Sequence, residues 1–133
     1  MRNIFLILSA VLLSACGGAK MNCEHCIGKG GVIQGTNTAV VEVRLDSSGM
    51  PQVVTDPVIV NAGQRIVWVG PTKMTIAFAK NDYLKVERLS TRNAVINLEL
   101  PVDDSKTGKT EIKYDIIVGD QVLDPIIIII HPH

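Results

Sequence analysis

The chain has 133 residues, with 13 basic and 13 acidic side chains, which is enough for one domain and too little for a multidomain enzyme. A hydrophobic share of 47% and a mean hydropathy of +0.28 exclude a disordered chain. Balanced charge with no basic block, and only 4% aromatic residues, supply neither the cationic footprint nor the stacking surface that nucleic acid requires.

Arg2 gives the N-terminus a positive start, and Ile4 to Leu13 form an apolar run. That run is too short to cross a hydrocarbon core of about 30 Å as a helix. Leu13-Ser14-Ala15-Cys16 follows at once, then Gly17-Gly18. Small residues around Cys16 open the backbone to a peptidase, and its thiol is the nucleophile there able to form a thioether. The segment closely resembles a bacterial lipobox, which implies acylation of Cys16 and removal of residues 1–15 as a signal peptide. More than one acyl chain, at about 0.8 kcal/mol per buried CH2, anchors a protein stably to a lipid bilayer. Loss of Arg2 leaves one basic residue fewer than acidic, so attraction to anionic lipid contributes little. An Asp after the lipidated cysteine usually retains such proteins at the inner membrane. Gly17 stands there instead, and the resemblance implies the outer membrane, with the body facing the periplasm or the cell surface.

Residues 16–38 read as a flexible tether, with six glycines after Cys16 and no sustained periodicity. Within it lies Met21-Asn22-Cys23-Glu24-His25-Cys26. Two thiols three positions apart chelate a soft ion or close a small disulfide. The segment resembles the Met-x-Cys-x-x-Cys loop of heavy-metal-associated copper domains, yet Gly28, Gly30 and Gly31 oppose the helix that follows it in that family. It also resembles one repeat of the DnaJ-type zinc module, which needs paired repeats to complete four cysteines. Three readings stay open: a disulfide or idle thiol pair in an oxidising compartment, capture of Cu or Zn by Cys23, Cys26 and His25, and a redox role. Covalent haem attachment fails, because Ile27 stands where His must follow the second cysteine.

From residue 39 onward, period-two alternation and turn punctuation predict an all-β body over 39–133. Ala39, Val41, Val43 and Leu45 form the inner face of a first strand, and Ser47 to Pro51 turn it. Gln52 to Val60 is a second extended run. Asp56-Pro57 interrupts it, so the run is an edge strand or changes sheets there. Arg65–Val69, Met74–Phe78, Ala94–Leu100 and Glu111–Val118 are the next four strands, and Pro125–Ile130, with five consecutive isoleucines, is the seventh. Isoleucine on both faces of that last strand implies burial on both sides or a covered edge. The stretch from Lys80 to Arg92 is ambiguous: Asp82 suits the cap of a short helix carrying Leu84, Val86 and Leu89, yet Leu84, Val86 and Arg88 also fit a strand. The expectation is a loop with at most two helical turns. Seven short strands predict a two-sheet sandwich.

Pro57-x-Ile59-Val60 followed by Gly63-x-x-Ile66-x-Trp68 resembles the opening of cupredoxin-like, immunoglobulin-like domains, where a glycine-containing turn precedes a strand bearing a buried Trp. Tyr114-x-Ile116-x-Val118 with Leu123-Asp124-Pro125-x-Ile127 is similar to the final hairpin of bacterial sandwiches of that class. The resemblance covers roughly residues 52–130. A type 1 copper site would need a Cys in the loop before the last strand, and Gly119 to Asp124 holds no Cys, His or Met.

His131-Pro132-His133 ends the chain as a solvated tail, or else as imidazoles able to join Cys23 and Cys26. Thr107-Gly108-Lys109-Thr110 lacks the first glycine of a phosphate loop and is a hairpin turn. Trp68 and Tyr114 belong in the core, with the Tyr114 hydroxyl bonded to backbone as in sandwich corners. With His25, His131 and His133 all placed outside the packed body, no His-based acid–base set is available. The expected function is therefore a non-enzymatic, membrane-anchored lipoprotein that binds an envelope protein or serves as a structural module. The alternative is a periplasmic Cu/Zn-binding protein using Cys23, Cys26 and His25.

Overall fold

A computed structural model describes residues 37–133. Cys16, Cys23, His25 and Cys26, and with them the lipidation and soft-metal expectations, lie outside the described residues. No helix occurs among the described residues, and none is long and apolar enough to cross a membrane. Ten strands run in the order β1 (Thr38–Leu45), β2 (Pro51–Val53), β3 (Val58–Asn61), β4 (Arg65–Val69), β5 (Met74–Phe78), β6 (Arg88–Thr91), β7 (Val95–Glu99), β8 (Gly108–Val118), β9 (Gln121–Leu123) and β10 (Ile126–His131).

They form two mixed sheets, ordered β2-β1-β4-β7 and β3-β10-β8-β5-β6, with β9 paired to β8. The arrangement is consistent with an all-β sandwich. Alternation dictates which residues face inward: Ala39, Val41 and Val43 on β1, Ile66 and Trp68 on β4, Ile96 and Leu98 on β7 are buried from the first sheet. Val58, Val60, Ile76, Ile112, Tyr114, Ile116, Ile127 and Ile129 are buried from the second. Trp68 joins the layers, its indole edge-on to Phe78 at 6.1 Å and to Tyr114 at 5.7 Å.

The second extended run does change sheets. Pro51–Val53 pairs with β1, whereas Val58–Asn61 runs parallel to β10, and the Asp56–Pro57 bond between them is cis. Asp56 Oδ1 accepts a hydrogen bond from Ile126 N at 3.1 Å, tying this crossing to the start of β10.

The ten strands are three more than the seven expected from sequence: the second extended run divides into β2 and β3, and β6 and β9 are additional. Arg88–Thr91 is β6 rather than loop or helix, an exposed edge in which Leu89 and Thr91 are only half-buried. Gln121–Leu123 is β9 rather than turn, returning along β8 past Gly119. The isoleucine strand is neither an edge nor buried on both faces. It lies between β3 and β8, with Ile127 and Ile129 in the core and Ile126, Ile128 and Ile130 half-exposed on the outside. Paired on both sides, β10 has no free ladder to template aggregation.

Two glycines are required by space. A Cβ on Gly70 would stand 2.7 Å from Val43 Cβ and 2.8 Å from Val43 O. Gly63 has φ +85°, and a Cβ there would meet Val102 Cγ2 at 2.9 Å.

Candidate functional site

Between β5 and β6 the chain makes an excursion whose ends are pinned together. Phe78 N donates to Glu87 O at 2.8 Å and Ala79 N to Lys113 O at 2.9 Å. Asn81 shapes the interior: its Oδ1 accepts from Tyr83 N at 3.0 Å and Leu84 N at 2.6 Å, while its Nδ2 donates to Ala79 O at 2.8 Å. Such Asx geometry offers the backbone an alternative to helix, and the helical turns allowed for this stretch do not form. Tyr83 and Leu84 are turned into the core by this clamp.

A cleft of ≈ 610 Å³ opens between this excursion and the residues leaving β7. Leu84, Val86, Leu98 and Val102 give it an apolar lining, and Asp82, Glu99 and Asp103 stand on it as well. Val102 is 61% exposed although apolar. Two ion pairs brace the surroundings: Lys106 Nζ to Asp82 Oδ2 at 2.9 Å and Arg65 Nη2 to Glu99 Oε1 at 2.6 Å. The Lys106 hydrogen bond holds the Asp82 carboxyl below its ordinary range. Hydrogen bonds from Ser105 do the same for Asp103.

β7 supplies the other half of the site. Ala94 O accepts from Gly70 N and Leu100 N donates to Gln64 O, both at 2.9 Å, so even-numbered residues carry the ladder to β4. The N–H and C=O groups of Val95, Asn97 and Glu99 therefore point away from β4, where no described strand pairs with them. An unpaired ladder edge running past an apolar cleft can receive an extended segment.

His131 is behind this cleft and not in a solvated tail. It is 1% exposed at the end of β10, with Nε2 and Thr110 Oγ1 2.8 Å apart. Its ring packs edge-on to Tyr83 at 5.3 Å, and Nδ1 is buried without a partner. The imidazole is thus occupied within the core, which removes it as a free tail ligand for Cys23 and Cys26. His133 is exposed. No group of three or more His, Cys, Asp or Glu able to hold a metal occurs among the described residues.

The corner hydrogen bond expected of Tyr114 is made instead by Tyr83, whose hydroxyl donates to Pro101 O. The Tyr114 hydroxyl is buried without a partner, as is Trp68 Nε1. Burial pushes the Tyr114 phenol well above its usual value, with the Trp68 N–H opposing in part. Burial, and then the Asp103 charge, also raise Tyr83. Two signals for this site stood in the sequence. Asn81-Asp82 is a turn signature, and the inward parity of Ile127 and Ile129 continues to His131.

Set against protein-family models, curated proteins and solved structures, the chain matches none of them.

Proposed function

We propose that this chain is a lipid-tethered, non-enzymatic β-sandwich lipoprotein that binds another envelope protein through the β7 edge and the cleft beside it. The observation that carries the binding role is the unpaired outer ladder of Val95, Asn97 and Glu99 next to the apolar lining of Leu84, Val86, Leu98 and Val102. Main-chain pairing supplies affinity in strand addition, and the adjacent pocket selects side chains. The tether reading rests on Ile4 to Leu13 and on the lipobox resemblance ending at Cys16. A cupredoxin-like reading of the fold is supported by Trp68, which is fully buried on the strand after the Gly63 turn.

Photo-crosslinking in cells, with the probe at Asn97, tests the binding role. One protein captured from Asn97 and lost in Val102→Asp is the expected result. Capture that is indiscriminate, or equal from a probe at exposed Gln52 on β2, the opposite edge of the same sheet, rejects it. Palmitate labelling of the wild type that disappears in Cys16→Ser is expected for the tether, and labelling unchanged by that substitution rejects it.

A further inference from the structure

A second cleft, of ≈ 380 Å³, lies at another corner of the fold, on the outer face of β5, β6 and the end of β8. Lys73 and Arg92 stand on its lining, which holds no carboxylate, and among the described residues neither belongs to an ion pair. Thr75 and Ser90 are cross-strand neighbours in the register of β5 and β6, and their hydroxyls share a hydrogen bond at 2.9 Å. Ile117 and Gly119 border the same depression from β8.

The two cations come from different turns that the backbone locks together. Gly70 N donates to Ala94 O at 2.9 Å and Ala94 N to Thr72 O at 3.4 Å, joining the turn before β5 to the turn after β6. Ala94 reaches this position with φ +65°, the one positive φ outside glycine among the described residues. Lys73 and Arg92 thus project from a fixed frame over a floor of hydroxyls. Arg offers a planar fork and Lys a point charge with three donors, a combination suited to an oxygen-rich anion. No acid stands on the lining itself; the nearest in sequence to it are Asp115 and Asp120, which flank Ile117 and Gly119 on the β8 side.

We propose that this cleft binds a phosphate-type tetrahedral oxyanion, carried on a small soluble molecule or on a lipid headgroup. Lys73 and Arg92 neutralise the charge, and whichever of the Thr75 and Ser90 hydroxyls is not donating to the other donates to a remaining oxygen. The site is separate from the β7 edge, so it stands or falls independently of the partner-binding reading.

Backbone-amide NMR of the full chain in detergent tests it, with inorganic phosphate, glycerol 3-phosphate and a short-chain phosphatidylglycerol as probes. The expected result is saturable shifts confined to residues 73–75, 90–92 and 119, absent with sodium chloride of matched ionic strength. Shifts from the phospholipid identify a headgroup site, and shifts from the soluble probes alone identify a soluble ligand. The double variant Lys73→Gln/Arg92→Gln is expected to weaken binding by about tenfold or more, since charge-assisted bonds are lost. Ser90→Asp, which puts a carboxylate on the floor, serves as the second variant and is expected to abolish the shifts. No saturable shift from any probe overturns the proposal. So does affinity unchanged in both variants.

Discussion

Removing the Tyr114 hydroxyl should stabilise this protein, although Tyr114 is among its most deeply buried side chains. Tyr114 is 1% exposed, and its hydroxyl has no hydrogen-bond partner. A buried hydroxyl left unpaired costs about 1–3 kcal/mol relative to its hydrated state. Tyr114→Phe deletes that cost and keeps the ring that packs against Trp68 at 5.7 Å and Phe78 at 6.3 Å. The void left by one oxygen and the proximity of the Trp68 N–H reduce the gain, so about 1 kcal/mol is expected. With a urea m-value of about 1 kcal/mol/M, the midpoint should rise by about 1 M at unchanged m. Tyr83→Phe is the control of opposite sign. Its hydroxyl donates to Pro101 O, so the substitution should cost about 1–2 kcal/mol. Equilibrium urea unfolding followed by Trp68 fluorescence reads both. A loss of 1 kcal/mol or more in Tyr114→Phe would mean that its hydroxyl is satisfied, and the burial argument would be wrong.

Alkaline pH tests the same group by another route. The folded-state value for Tyr114 is raised, so its stability contribution is complete below the unfolded value of about 10. As pH rises beyond that, the unfolded chain loses the proton that the folded chain keeps. Tyr114 should then lower stability by about 1.4 kcal/mol per pH unit, and Tyr114→Phe should remove that share of the slope while leaving the share from Tyr83, whose phenol is also raised; equal slopes in the two proteins would refute it. Gly70→Ala should cost about 1–3 kcal/mol, because the new methyl overlaps Val43 and its carbonyl and the sheet must shift. A melting temperature equal to wild type would contradict that geometry. His131→Ala should cost about 2–3 kcal/mol, through the cavity beneath Tyr83 and the loss of the Thr110 contact. A solvated tail would instead show a change within about 0.5 kcal/mol.

Period-two alternation was sufficient to identify the all-β class and the inward face of β1 through Val43, whereas Leu45, expected inside, is 45% exposed. Burial on one side of a pleat imposes that pattern on every core strand. The Pro57 interruption likewise marked where the chain changes sheets, since proline cannot donate to a central ladder. β6 and β9 were illegible for the converse reason: one is a solvent-facing edge and the other spans three residues, so little burial selects their side chains. What only the tertiary structure decided is contact between positions far apart in the chain. Tyr83 reaching Pro101, His131 set against Thr110, the open edge of β7 beside Val102, and Lys73 brought near Arg92 all depend on how the sheets close over one another. Local sequence carries the preference of each residue for inside or outside. The partner it meets there is fixed by packing of the whole chain, which no short window records.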